Sequence, residues 1–448
     1  KEAIRKLIKT ALALNCQINK NSFFERKSYF YPDLPKGYQI SQYQAPLSEK
    51  GYLDLPKQGK RINITRIHME EDTGSLVHPE GADYSLVNFN RSSVPLMELV
   101  TEPDLETAED VKELVKELQL ILRYLDVSFA NMEKGEMRCE VNISLATKDA
   151  KEFGTKVEVK NLNSIAVAGA AVEYEIKRQT EILEKGEKVI QETRGWHDAK
   201  KITFSQRQKE QAHDYRYFPE PDLPPLNLSD DFISEVKKEL PELPSQKRDR
   251  FQKEYGLGFG DVEVFVSKKG LAGFFEKTVS ELGEWVGAEK GIELKDDEIK
   301  KLAKIAANYL INDVLGQPAL AKPEAMLAGQ EGESADLKFN PENFAEFVKK
   351  IYLNEISSKI AKIVLERMMQ TGNDPSHIIR NEGLAQISDA GAIEAIAKQV
   401  IAENAKTSGD YKKGKQASLQ FLIGQVMAKT KGKASPELAK ETLAKLLK

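Results

Sequence analysis

The stretch YFPEPDLPPLNL at residues 217–228, followed by PELP at 241–244, splits this chain into two kinds of sequence. Proline has no amide hydrogen and a fixed φ, so prolines at this density exclude regular helix and most sheet pairing. The stretch is expected to run as an extended crossing segment and then to mark a boundary. Upstream of it the pattern is mixed. Alternation of apolar and polar residues in RINIT (61–65), MRCEVNISL (137–145) and KVEVK (156–160) predicts strands. Helical spacing predicts helices over 108–125 and 166–186, the first capped by Thr107 with acids in its first turn and the second stopped at Gly186. Downstream of 244 nearly every segment has helical spacing, from PSQKRDRFQKEYG (244–256) to SPELAKETLAKLLK (435–448). There is no repeat of fixed period. The expected fold class is α+β, an α/β-mixed body carrying an α-helical extension.

Bulk properties bound the possibilities. A chain of 448 residues exceeds one typical core, so two or three domains are expected. With 40% hydrophobic and 30% charged residues the composition is that of a globular protein. No apolar run approaches the roughly 18 residues of a membrane-spanning helix. Cys16 and Cys139 cannot build a disulfide framework, and neither belongs to a CxxC pair, which favours a reducing compartment and gives no structural zinc site. The chain opens on KEAIRKLIKTALALN, already in helical register and without Met, as expected of a sequence that lacks its first residues. The net charge of −4 conceals an asymmetry: from Lys406 to Lys448 ten lysines face only Asp410, Glu437 and Glu441. A basic end on a mildly acidic protein suits a polyanion partner, with a plain solvated lysine face as the alternative.

Chemistry is concentrated in RIHMEEDTGSLVHPEGADYSLVNFNRSSVPLMELVTEPD, residues 66–104. Glu71 and Glu98 each sit beside an apolar run that could fix them, and magnesium takes one or two such hard oxygen ligands. Two glutamates 27 positions apart are no motif, and surface ion pairs are the alternative. His68, next to the acids, reads as a structural hydrogen-bonder. In MRCEVNISL the alternation puts Arg138, Glu140, Asn142 and Ser144 on one face, and in KVEVKNLNS it puts Lys156, Glu158 and Lys160 on one face. These can share a polar sheet surface, either functional or merely ion-paired. The stretch ERKSYFYPDLPKGYQISQY (25–43) mixes five aromatic rings with three cations, which can stack bases or form a rigid buried loop. There is neither a P-loop nor GxGxxG, so any nucleotide site is of another kind.

Several stretches taken together resemble one family. YFYPDLPKGYQISQY, RIHMEEDTG, NRSSVPLMELVTEPD, MRCEVNISL, KVEVKNLNS, DYRYFPEPDLPPL, SSKIAKIVLERM and DYKKGKQASLQFLIGQVM, in this order along the whole chain, are similar to the GatB family, the B subunits of the tRNA-dependent amidotransferases. The resemblance implies a glutamine-synthetase-like cradle over 1–240, a helical domain over 241–375 and a tRNA-binding tail over 376–448, with a YqeY-like region from roughly 300. It implies ATP- and Mg2+-dependent phosphorylation of the side chain of a glutamate or aspartate misacylated onto tRNA. Ammonia from the amidase A subunit would then displace the phosphate, in a complex that also holds a small C subunit, in a bacterial cytoplasm or an organelle. Carried over, Glu71 and Glu98 would be the magnesium ligands and Glu140 an active-site carboxylate. Arg138 and Lys160 are added as cations for phosphate oxygens, and Lys412, Lys413, Lys415, Lys429 and Lys431 would contact tRNA phosphates. The family's first strand, with its His and Glu, and the zinc-binding cysteines that follow in many members have no counterpart in this sequence, so the chain as given is expected to be impaired. The competing expectations are a noncatalytic tRNA-binding scaffold and, far behind, a carbohydrate-active enzyme with paired acids. The phosphoryl-transfer expectation depends on Glu71 and Glu98 meeting around one cation.

Overall fold

The computed structural model describes residues 1–79, 81–208, 215–316, 337–385 and 390–447. Asp214, in one of the family stretches, and Lys448, in the basic tail, lie outside them. Chain contacts divide the protein into two compact units, Lys1–Ser245 and Gln246–Lys448.

The first unit is built on two four-stranded sheets. It opens with helix α1 (Glu2–Ala13), whose Leu7, Ile8 and Ala11 are fully buried. Strands β1 (Gln17–Ile18), β2 (Asn21–Ser22), β3 (Glu25–Ser28), β4 (Tyr38–Ser41) and β5 (Ser48–Leu55) follow. Next come β6 (Lys60–Glu71), β7 (Ser75–Val77), β8 (Leu86–Asn88) and β9 (Pro95–Thr101). The first sheet has the order β1-β5-β6-β9 with every pair antiparallel. RINIT is thus only the beginning of one 12-residue strand that carries straight on through His68 to Glu71. Gly51 of β5 allows that sheet to close on the end of α1, since a side chain there would collide with Cys16 Sγ and the Leu14 carbonyl.

Helix α2 (Ala108–Tyr124) starts at a capping box in which the Thr107 hydroxyl accepts from the Asp110 amide and the Asp110 carboxylate accepts from the Thr107 amide. Its apolar residues serve both sheets. Ile121 joins the core beneath the first sheet, while Val111 and Val115 pack with the second. The second sheet comprises β10 (Cys139–Ile143), β11 (Val157–Leu162), β12 (Glu192–His197) and β13 (Ile202–Gln208), in that order. β11 and β12 are parallel, and α3 (Ile165–Glu184), capped by Ser164, supplies the crossover such a pair requires. Cys139, Val141 and Ile143 pack toward the core with Val159 and Leu162, while Glu140 and Asn142 are exposed. The alternation therefore acts as the sequence indicates, with a bulge between Cys139 and Val141.

The proline-rich stretch crosses the unit in extended form. It pairs with strands as β14 (Phe218–Pro219) on β3 and β15 (Leu226–Asn227) on β2, and Glu220 beside β14 takes Arg26 of β3. Two-residue edge pairings are what prolines without amide donors leave possible. Helix α4 (Asp230–Lys238) then returns to α1, where Arg5 pairs with Glu235 and Glu239.

The second unit is helical throughout its described residues. It contains α5 (Pro244–Tyr255), which begins at the boundary, α6 (Phe259–Val266), α7 (Lys269–Lys290) and α8 (Asp296–Asn308). A π-helical turn, Tyr309–Val314, ends α8. α9 (Pro341–Tyr352), α10 (Ser358–Thr371), α11 (Pro375–Asn381), α12 (Ala390–Glu403), α13 (Ala405–Lys412), α14 (Gln416–Lys429) and α15 (Pro436–Leu447) complete it. Phe251, Phe265 and Phe275 form one aromatic centre, with Phe265 and Phe275 stacked at 4.4 Å. Ile393, Val400, Leu422, Val426 and Leu443 form a separate core for the last helices.

Candidate metal centre in the cleft

Between the two sheets of the first unit lies an open cleft of about 3260 Å³. One wall is β6 and β9, the other is β10 and β11, and α2 contributes Leu114, Leu118 and Leu122 as apolar lining. Along β6, side chains alternate in direction, so Arg66, His68 and Glu70 face one way and Met69 and Glu71 the other. Pairing with β9 sets His68 directly opposite Glu98, which places both on the same face. The result is a cluster of His68, Glu70 and Glu98 whose ligand atoms all lie within 4.8 Å of one another.

The electrostatics of this cluster are unbalanced. His68 and Glu70 are buried, and Glu98 opens onto the cleft. His68 Nε2 stands 3.8 Å from Glu70 Oε2, and the buried Nδ1 has no hydrogen-bond partner among the described residues. No Lys or Arg pairs with Glu70 or Glu98 among those residues. Enclosure by the cleft walls, reinforced by the charge of Glu70, raises the Glu98 carboxyl above its ordinary value. Two close carboxylates and an imidazole with an orphaned nitrogen form a donor set that suits a hard or borderline divalent cation. Tyr29 and Tyr217 approach from β3 and the proline-rich segment; burial first, and the negative charge of Glu70 among lesser causes, keeps both phenols protonated.

Glu71 is elsewhere. Its carboxylate takes two hydrogen bonds from Lys36 Nζ, at 2.5 and 2.8 Å, and a third from the Ile40 amide at 2.9 Å. It fastens the loop that carries Lys36, and β4 after it, to the end of β6. The expectation that Glu71 and Glu98 share a cation is therefore corrected: strand alternation sends them to opposite faces, and Glu70 is the acid that meets Glu98. The third acid, Asp72, is also engaged, holding Arg91 at 2.8 Å and Arg138 at 3.3 Å. Three consecutive carboxylates thus have three separate environments.

The facing wall carries the remaining expected residues of the cleft. Glu140, Glu158 and Lys160 all line it. Lys160 Nζ lies 3.1 Å from Glu140 and 3.5 Å from Glu158; burial would lower its pKa, but the two acids outweigh this and raise it. Arg138 reaches across to Asp72 and so ties the two walls together. In the second unit Lys412, Lys413, Lys415, Lys429 and Lys431 are all exposed. Lys415 is paired with Asp410 at 3.3 Å and Lys429 with Glu403 at 2.9 Å. His68 is expected from the sequence to be only structural and Glu70 carries no expectation; alternation over 66–72 groups both with Arg66 and separates Glu71.

The family signature of the GatB/GatE catalytic domain matches residues 1–234, and that of the GatB domain matches 293–447. The chain is 45% identical to the aspartyl/glutamyl-tRNA(Asn/Gln) amidotransferase B subunit of Caldicellulosiruptor saccharolyticus, over 99% of this chain and 88% of the relative. Against the protein of the same name from Carboxydothermus hydrogenoformans it is 44% identical over 100% and 89% of the two chains. Against that of Thermotoga maritima it is 45% identical over 100% and 88%.

Proposed function

The chain belongs to the GatB family of amidotransferase B subunits, and from that premise we propose that its cleft activates the side-chain carboxylate of a glutamate or aspartate misacylated onto tRNA. The substrate carboxylate oxygen attacks the γ-phosphorus of ATP, and ADP leaves with the electron pair of the bridging bond. Ammonia then adds to the acyl carbon, phosphate departs, and the surplus proton goes to solvent, leaving the amide. The observation that carries this reading is the His68, Glu70 and Glu98 cluster, whose negative charge has no neutralising side chain in contact among the described residues. A magnesium ion held there by Glu70 and Glu98, with His68 beside it, would stabilise charge on phosphoryl oxygens.

The chain's own residues have separable tasks. Glu70 and Glu98 would hold the cation, and Asp72 keeps Arg138 at the mouth between the walls. Lys160, steadied by Glu140 and Glu158, offers positive charge to phosphate oxygens from the opposite wall. The tail over 376–448 holds tRNA, with Lys412, Lys413 and Lys431, which have no ion-pair partner among the described residues, meeting phosphates and Lys415 and Lys429 doing so after parting from Asp410 and Glu403. An amidase partner, the A subunit, would deliver the ammonia, and the assembly would also include a small C subunit.

The test is phosphate transfer itself. Glu98→Gln and Glu70→Gln should abolish ADP release dependent on misacylated tRNA while leaving tRNA affinity within about twofold. Parent-like turnover in both would instead make this a noncatalytic tRNA-holding protein.

A further inference from the structure

We propose that Arg66 is a further catalytic residue of this centre, whose guanidinium binds the oxygens of the phosphoryl group in transit; the assignment rests on the phosphoryl-transfer reading above. Arg66 lies two residues before His68 on β6, on the same face, about 7 Å away along the strand. It lines the cleft and is half-buried. Its Nε is shielded from solvent and has no hydrogen-bond partner among the described residues, which also contain no ion-pair partner for its guanidinium. A buried donor left in that state is costly, and native structures rarely tolerate one without a purpose.

The neighbouring cations differ. Arg138 is held by Asp72, and Lys160 by Glu140 and Glu158. Lys27 rests over the rings of Tyr215, at 4.8 Å, and Tyr29, at 6.0 Å. Arg66 makes no hydrogen bond or ion-pair contact with a carboxylate and lies over no ring among the described residues; its charge reaches Glu98 only through space. A fixed guanidinium this close to a divalent cation repels it unless an anion lies between them. A phosphoryl group fits that place: it carries charge on three equatorial oxygens, and the planar fork of arginine can donate to two of them at once. Arg66 donates hydrogen bonds and moves no proton. The bond to phosphorus forms from the substrate carboxylate and breaks at the ADP oxygen, as above.

The experiment is single-turnover ADP formation by the assembled amidotransferase, with ATP and misacylated tRNA, alongside Mn2+ titration of the same protein. Arg66→Met should slow transfer by about 10²–10³-fold. Mn2+ affinity should hold or tighten, because a repelling charge has gone, whereas a merely structural arginine would weaken it on removal. Arg66→Lys should recover about tenfold of the lost rate, keeping charge without the fork. Arg66→Met within threefold of the parent, with Glu98→Gln inactive, overturns the role of Arg66 and leaves the function standing. Parent-like Glu98→Gln overturns both. Should Arg66→Met lose its melting transition, Arg66→Lys decides: a loss of fivefold or more at the parent melting temperature supports the role, and the parent rate overturns it.

Discussion

Two clusters of carboxylates lie in the first unit, and they are balanced in opposite ways. Around Glu175, in the middle of α3, every charge has its counterpart. Arg178 donates to both carboxylate oxygens at 2.9 and 2.8 Å, Gln179 donates at 3.0 Å, the Thr203 hydroxyl at 2.5 Å, and Arg194 stands 3.2 Å away. Glu192 completes the set against Arg194 at 2.5 Å, giving two carboxylates and two guanidiniums. Around Glu98 there are also two carboxylates, but no cation touches them among the described residues. Burial works to raise both pKa values. At Glu175 the donors from Arg178, Thr203 and Gln179 outweigh it and bring the carboxyl below its ordinary value, while at Glu98 nothing does and it rises. The first cluster fastens α3 to the second sheet. The second is left with an excess of negative charge.

The contrast can be broken by substitution. Glu98→Gln should cost activity most, several kcal/mol in the barrier or on the order of 10³-fold in rate, with the fold intact. Glu175→Gln should do the reverse: it leaves Arg178 and Arg194 short of charge in the interior and should cost about 3–5 kcal/mol of stability by denaturant titration, with activity per folded molecule preserved. Equal destabilisation by both would erase the distinction.

Acidity sharpens it further, with opposite signs. The Glu98 pKa is raised above 4.5 in the fold, so its proton stabilises the native state below 4.5 and that stabilisation is lost as pH rises through the raised value. Glutamine imitates the protonated acid, so Glu98→Gln measured in chelator should be more stable than the parent at neutral pH and equal to it in acid. The Glu175 pKa is lowered from 4.5, so its stabilisation is present above 4.5 and is lost as pH falls through the depressed value. The penalty of Glu175→Gln should shrink accordingly in acid.

Smaller effects separate the remaining residues. Glu71→Gln keeps an acceptor for the Ile40 amide and loses only its ion pair with Lys36, so turnover should stay within about fivefold of the parent. In the tail, Lys412→Ala with Lys413→Ala should weaken tRNA binding and reduce the slope of log affinity against log salt by about one for each phosphate no longer neutralised. An unchanged slope would make these lysines an ordinary solvated face.

Much of this was legible in the residues. Thr107 and Gly186 mark real helix ends, the proline-rich stretch crosses in extended form, and the alternation of 137–145 separates Glu140 from Val141 as expected. Helical and strand periods are local, so they survive without knowledge of the fold. The candidate metal centre depends on register between β6 and β9, and the separate setting of Glu71 depends on a lysine 35 positions away. Neither is local. The separation of Glu71 from Glu70 is local: alternation along HMEED divides its two glutamates between faces, which matching the motif by position does not reveal.

The most direct measurement is Mn2+ binding by titration calorimetry to the parent, Glu70→Gln, Glu98→Gln and Glu71→Gln, each in the assembled complex. The account expects tight binding to the parent and to Glu71→Gln, and a loss of at least about tenfold in affinity for the other two. Binding abolished by Glu71→Gln but untouched by Glu70→Gln and Glu98→Gln would contradict it.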